Sequence, residues 1–472
     1  MKKTQNVHKI DRDLPPTIFT LFGATGDLSA DYLLPALLHM HTEKLLPKDF
    51  QLVCVGRRGF DTKKYLQFII KKSASLKKAS VKHRASFFKL IRYYQGNFED
   101  PSSFTALASQ LADKDKPQHK CYNRLYYLAT SPQLFASIAH MLKESGLLLT
   151  CAAHGRNVRV LIEKPFGFNT ASAIDLNKIL LKYFTEEQIY RIDHYQGKET
   201  VQNLMVVRFA NSIFEPLWNK DYIDHIEINV AEKDTAKNRA EYYDQTGALK
   251  DMVQNHMLQM LALLTMDQPF DITATDIRKE KLKILQALQP FSAADGKLVK
   301  GQYQGYIQDI GHQSDTESYI DLQVAINTPR WQGVPIHVRT GKALNEKKAE
   351  IIVHFKELDR CIFKYCAPNI LTFQIQPDES VHLQLNNKVP GFGVNLHQGD
   401  YEFGYNKAFM QEIPSAYERL LLDFMEGDQR LFISSQEIEA AWKFVDTVAA
   451  IQKNTSLIYY KPGTKFPLQN NL

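Results

Sequence analysis

Two histidine-bearing segments carry the residue types from which proton transfer on a phosphorylated substrate can be built. Arg191-Ile192-Asp193-His194-Tyr195-Gln196-Gly197-Lys198-Glu199 gathers two cations, two acids, a histidine and a tyrosine in nine residues. His194, Tyr195 and Lys198 supply donors and charge suited to a phosphate dianion. Asp193 is an acceptor able to orient a histidine elsewhere in the chain. Such a histidine is His256, in Lys250-Asp251-Met252-Val253-Gln254-Asn255-His256. An imidazole with an unperturbed pKa near ~6.5 suits removal of a proton from a sugar hydroxyl. On an α-helix His256 shares a face with Met252, Val253 and Met260, a pattern that a core histidine would also show.

A second constellation reads as a dinucleotide end. The apolar run Thr17 to Phe22 leads into Gly23-Ala24-Thr25-Gly26-Asp27-Leu28. A glycine turn between strand and helix lets backbone N–H groups approach a pyrophosphate, beside the positive end of the helix dipole. The next strand ends in Gly56-Arg57-Arg58-Gly59. An acid at that point favours ribose hydroxyls, whereas guanidinium suits a 2′-phosphate. Glu163-Lys164-Pro165-Phe166-Gly167 follows another strand, where ligands of parallel sheets sit. Lys164 there can hold an anionic or hydroxylated ligand.

These residues need elements to position them. Up to about residue 195, strand-like runs (17–22, 51–55, 90–95, 124–129, 158–162) alternate with helical ones (32–46, 62–73, 102–112, 134–144). This alternation predicts a doubly wound parallel sheet, since parallel strands need crossovers. Beyond residue 200 the pattern becomes α+β. Helices are expected at 198–207, 251–266, 420–424 and 435–449. Strands are expected at 223–230, 319–327, 336–339, 351–354, 371–376 and 381–385, in one broad mixed or antiparallel sheet. The lysine-rich stretch Lys71 to Arg84 reads as a solvated face and loop.

Composition narrows the classes. The 472 residues are 44% hydrophobic and 23% charged, with a net charge of +6. That profile fits a globular protein and requires no nucleic-acid partner. The mild positive excess suits an anionic small substrate. The N-terminus lacks the apolar core of a secretory signal, and no run approaches the ~18 apolar residues of a membrane span. A cytoplasmic location is expected. Five widely spaced cysteines (Cys54, Cys121, Cys151, Cys361, Cys366) without a CxxC pair point to reduced thiols, with neither a disulfide framework nor a metal centre.

Taken together the motifs closely resemble the glucose-6-phosphate dehydrogenase family. They are GATGDL (23–28), VGR (55–57), NRLYYLA (123–129), EKPFG (163–167), RIDHYQGKE (191–199), DMVQNH (251–256), VPIHVRTGKAL (334–344), IQPDE (375–379) and YERLLLDFMEGDQ (417–429). The resemblance implies an α/β Rossmann-like coenzyme domain at 17–197 after a tail at 1–16. An α+β domain with a large, mainly antiparallel sheet would follow at 198–472. It implies oxidation of β-D-glucose 6-phosphate at C1 with NADP⁺, NAD⁺ being the alternative coenzyme, and a homodimer or dimer of dimers. His256 would be the base and Asp193 its partner. His194, Tyr195, Lys198, Lys164, Glu232, Asp251, Lys342 and Gln376 would bind substrate. Gly23, Thr25, Gly26, Asp27, Leu28, Arg57 and Lys164 would bind coenzyme.

Where family members commonly carry a lysine-rich run after GDL, this chain has Ser29-Ala30-Asp31-Tyr32-Leu33. That change predicts weaker phosphate binding unless another cation compensates. It also leaves a non-catalytic coenzyme or sugar-phosphate sensor as a competing expectation. The intact Asp193, His194, Lys198 and His256 argue against a sensor.

Overall fold

The structure is a computed structural model that describes residues 14–115, 122–149, 157–290, 298–405 and 413–466. Cys121, Cys151 and the expected tail up to residue 13 lie outside the described residues. The chain forms two compact units.

The first unit comprises Met1–Phe166, Asp175–Ile192 and Tyr417–Ile433. Its six-stranded sheet is formed by β1 (Thr17–Phe22), β2 (Phe50–Gly56), β3 (Ile91–Gln95), β4 (Asn123–Leu128), β5 (Val158–Ile162) and β6 (Ile189–Arg191). The order is β3-β2-β1-β4-β5-β6 and every pairing is parallel. β1 and β4 are buried throughout, as expected of strands covered on both faces. The order reverses direction between β1 and β4, so the glycine turn after β1 opens at the switch point where ligands bind in such sheets.

The return of Tyr417–Ile433 to this unit has a packing reason. Phe424 meets Tyr190 edge-on at 4.9 Å, and Arg159 Nη1 donates to the Phe424 and Met425 carbonyls at 3.0 Å. The boundary expected at 197/198 is therefore not a single cut.

The second unit comprises Gly167–Ile174, Asp193–Ala416 and Ser434–Leu472. Its ten-stranded sheet contains β7 (Ile223–Ala231), β8 (Leu288–Pro290), β9 (Leu298–Tyr303), β10 (Tyr319–Ile326), β11 (Ile336–Gly341), β12 (Lys348–Phe355), β13 (Ile370–Gln376), β14 (Ser380–Lys388), β15 (Leu396–Gly404) and β16 (Leu457–Tyr460). The order is β15-β14-β13-β12-β7-β11-β10-β9-β16, with β8 pairing β10. Only β7–β11 and β9–β16 pair in parallel, so the sheet is mainly antiparallel as anticipated. β7 shows why: Ile226, Ile228 and Val230 are buried, while His225 and Glu227 alternate onto the other face.

Two segments expected as plain α-helix begin as π-helix. Ser29–Leu33 is π-helical before the α-helix Leu34–Thr42, and Pro35 in that first turn has no N–H to give. Leu249–Met257 is π-helical before the α-helix Leu258–Thr265.

The cysteine expectation needs one correction. Cys361 and Cys366 form a disulfide, because the loop between β12 and β13 brings their Cα atoms to 5.8 Å. Cys54 is a free buried thiol whose pKa burial pushes up to about 12. No helix among the described residues is long and apolar enough to cross a membrane.

Candidate active site

The site in the second unit is built from the turn Asp193–Lys198, the π-helix and the end of β7. Asp193 is 2% exposed and His256 1% exposed, and Asp193 Oδ1 lies 2.5 Å from His256 Nδ1. The same oxygen accepts the Tyr195 N–H at 2.9 Å. Burial alone would raise the Asp193 pKa. The adjoining His256, the nearby His194 and the Tyr195 N–H outweigh it and hold the carboxyl at about 2. The aspartate therefore stays ionised at neutral pH.

Aromatic rings enclose the imidazole. Tyr195 stacks on His256 at 4.5 Å between centroids, and His194 meets it edge-on at 4.6 Å. Burial pushes the Tyr195 hydroxyl pKa up, and the charges of Glu232, Asp193 and Asp251 push it further. Tyr195 is therefore a neutral hydrogen-bonding group.

The π-helix that presents His256 is anchored at its start by a buried carboxylate. Glu317 Oε1 accepts the Leu249 N–H at 3.0 Å, and the Glu317 carbonyl accepts the Ala248 N–H at 3.1 Å. Gly247 precedes them at φ +64°, where an added Cβ would stand 2.4 Å from the Glu317 carboxylate. Only glycine meets both demands. Asp251, on the same π-helix, faces the Tyr242 hydroxyl at 3.4 Å. Glu232, just beyond β7, and Lys342, just beyond β11, form an ion pair at 2.8 Å. The Lys342 ammonium also lies 4.9 Å from the centre of the Tyr243 ring.

Lys198 stands at the N-cap position of the helix Glu199–Phe209, where its side chain makes no capping hydrogen bond. Glu379 Oε2 accepts the Thr200 N–H at 2.7 Å and the Thr200 hydroxyl at 3.0 Å, placing negative charge at the helix start. Gly197 leaves room for Ala416, whose carbonyl oxygen an added Cβ would approach to 2.6 Å. Gln376 ends β13 and joins none of these contacts. The IQPDE motif thus acts in the structure through Glu379, which sequence reasoning had not singled out. Tyr242, Tyr243 and Glu317 were missed as well. Their neighbour Asp251 was visible in the sequence, but the pairings are not local.

In the first unit the Gly23 N–H and Ala24 N–H donate to the Val55 carbonyl, tying the glycine turn to β2. Gly23 has φ +83°, and a Cβ there would come within 2.1 Å of the Ala129 carbonyl oxygen. Arg57 and Arg58 are exposed at the end of β2. Lys72 departs from the solvated-face expectation. Its ammonium donates to the Thr25 carbonyl at 3.0 Å and pairs with the Asp27 carboxylate at 2.8 Å. A cation therefore does reach the glycine turn, from the helix Thr62–Lys72 rather than from residues 29–33. Glu163, beside Lys164, accepts the Tyr127 hydroxyl at 2.6 Å. Its surroundings raise its pKa to about 7, chiefly by burial.

A doubly wound parallel sheet with a glycine turn at its switch point, in a chain that also holds a buried carboxylate–imidazole pair, defines a dinucleotide-linked oxidoreductase. Residues 20–203 match the family description "Glucose-6-phosphate dehydrogenase, NAD binding domain", and residues 205–471 match "Glucose-6-phosphate dehydrogenase, C-terminal domain". The chain belongs to the glucose-6-phosphate dehydrogenase family. It is 40% identical to the glucose-6-phosphate 1-dehydrogenase of Chlamydia pneumoniae, over 93% of this chain and 90% of that one. A solved glucose-6-phosphate dehydrogenase in complex with its substrate glucose 6-phosphate superposes with a TM-score of 0.90 at 29% identity, covering 97% of each chain. The Mycobacterium avium enzyme gives 0.83 at 32% identity, covering 96% of this chain and 95% of that one.

Proposed function

We propose that the chain oxidises β-D-glucose 6-phosphate at C1 to 6-phospho-D-glucono-1,5-lactone, with NADP⁺ as hydride acceptor. The observation that carries this reading is the buried Asp193–His256 pair. Asp193 occupies Nδ1 and leaves Nε2 as the nitrogen that takes the C1 hydroxyl proton. The carboxylate holds the tautomer and offsets the charge of the imidazolium that results. His194, Tyr195 and Lys198 hold the 6-phosphate. Glu232, Asp251, Lys342, Gln376 and Lys164 hold sugar hydroxyls and phosphate.

The first unit fits a dinucleotide: the glycine turn has no space for a side chain at Gly23, the Lys72 ammonium reaches its Thr25 carbonyl and Asp27 carboxylate, and Arg57 and Arg58 are exposed after β2. Gly23, Thr25, Gly26, Asp27, Leu28, Arg57 and Lys164 would hold the coenzyme. When bound, NADP⁺ supplies the acceptor for the hydride leaving C1. Arg57 is the residue of choice for the 2′-phosphate. The acidic Asp31 in place of a lysine motivates the comparison with NAD⁺. The same reading expects a cytoplasmic homodimer or dimer of dimers.

The test is the initial rate of nicotinamide reduction with glucose 6-phosphate and either coenzyme. Turnover with NADP⁺ at the higher kcat/KM is expected. No reduction with either coenzyme would leave the sensor reading in its place.

A further inference from the structure

The second unit holds another cluster of chemically capable side chains, half-buried on the face of its sheet opposite Ile226, Ile228 and Val230. His225 and Glu227 lie two residues apart on β7 and so project to the same face. His354 on β12 is the direct cross-strand partner of His225. One ligand atom from each of the three lies within 4.8 Å of the other two. Glu227 Oε1 stands 3.7 Å from His225 Nε2 and 3.6 Å from His354 Nε2. Those separations are too long for hydrogen bonds. They approach the spacing of about 3.3–3.4 Å between ligands set ~2.0–2.1 Å from a tetrahedral ion.

The surrounding contacts orient these atoms as a metal site requires. His225 Nδ1 is bonded to Asp224 Oδ2 at 2.7 Å, which commits that nitrogen and leaves Nε2 for a ligand. Glu227 Oε2 is held by Arg339 at 2.8 Å and by the Asn229 amide at 3.0 Å, leaving Oε1. His354 Nε2 is buried and makes no hydrogen bond within the protein. The carboxylates of Glu227 and Asp321 both pair with the guanidinium of Arg339, Asp321 at 3.1 Å, while Asp224 pairs with His225. His337 lies beside the group, its ring 6.0 Å from that of His225.

We infer that His225, Glu227 and His354 form a site for a divalent transition ion of the zinc class, bound through two imidazole Nε2 atoms and one carboxylate oxygen. The donor set is borderline-soft and suits Zn²⁺, Co²⁺ or Ni²⁺ over Mg²⁺ or Ca²⁺. The two imidazoles stack at 4.0 Å and 13°. Capture therefore turns one ring about χ2, a broad torsion for histidine, to bring its nitrogen in line with the ion. The fourth position stays open to water. The bound ion ties β7 to β12 in the middle of the sheet.

The test is a Co²⁺ titration of the tag-free full chain, followed by visible ligand-field absorption and by calorimetry. It is done in the His256→Asn background, because Asp193, His194 and His256 are the other described group able to hold an ion. One ion per chain with a four-coordinate spectrum is expected. His354→Gln and Glu227→Gln should each weaken binding at least tenfold, and Asp224→Asn by about tenfold through the lost orientation of His225. Circular dichroism melts check folding, and His225→Gln replaces any variant that fails to fold. Absence of the spectrum in the parent, or equal affinity in the parent and the folded ligand variants, overturns the assignment.

Discussion

His256 Nδ1 lies 2.5 Å from Asp193 Oδ1, although 63 residues separate the two in the chain. Both are buried, so neither can exchange this partner for water. The contact commits Nδ1 of the imidazole, and it couples the π-helix to the turn that carries His194, Tyr195 and Lys198.

Removing the base should therefore damage turnover far more than affinity. His256→Asn is expected to lower kcat by about 10²–10⁴-fold with little change in the KM for glucose 6-phosphate. Asp193→Asn should also lower kcat, since it withdraws the charge that stabilises the imidazolium. Steady-state rates with saturating coenzyme check both. Near-normal kcat in His256→Asn would remove the base assignment.

Lys72 should be a coenzyme residue rather than a surface one. Lys72→Met removes the ammonium beside Thr25 and Asp27. The KM for coenzyme should rise by about tenfold, the equivalent of one charge-assisted hydrogen bond, at unchanged kcat. Arg57→Ala should instead reduce the preference for NADP⁺ over NAD⁺. Kinetics with both coenzymes distinguish the two effects, and an unaltered KM in Lys72→Met would return that lysine to the solvated face.

Glu163 should make stability depend on pH. Its folded pKa, about 7, lies above the ordinary carboxylate value of 4.5. The native state thus binds the proton more tightly than the unfolded chain does. Stability is greatest below about pH 4.5 and declines as pH rises toward 7. Glu163→Gln stays uncharged, so its Tm relative to the parent should rise by on the order of 3 °C between pH 5 and pH 8. Parallel melting curves across that range, showing no such divergence, would exclude the effect.

Gly247→Ala should unsettle the π-helix. The positive φ costs about 1–3 kcal/mol for a residue with a side chain, and the Glu317 carboxylate must move to admit the Cβ. A lower denaturant midpoint, together with reduced kcat from displacement of His256, is expected. Wild-type stability in this variant would show that the Glu317 anchor can move freely.

Much of the architecture was legible before any coordinates. β5 has the bounds Val158 to Ile162 that the sequence predicts, because Val158, Val160, Leu161 and Ile162 give the segment strand-forming apolar residues in a short run. The strands β3, β7, β10 and β13 were read to within a residue or two. The short β6, β8 and β16 escaped, since three or four residues carry too little periodicity to register, and so did β9 and the largely polar β15. The π-helical geometry also escaped. Glu317 captures the Leu249 N–H where the π-helix Leu249–Met257 starts, a contact with no local signature.

By itself the sequence determined the chemical inventory and the local elements: the glycine turn after β1, the arginines after β2, and the donors and acids of residues 191–199. Residue type and hydrophobic period are local quantities, and the sequence states them directly. The tertiary structure alone decided which groups meet. It set His256 against Asp193, brought Lys72 to a turn that carries no lysine of its own, and aligned His225 and Glu227 on β7 with His354 on β12. It also closed Cys361 onto Cys366, against the expectation of reduced thiols. Hydrogen bonds, ion pairs and coordination act over about 2–4 Å, and only the folded backbone brings residues distant in the chain to that range.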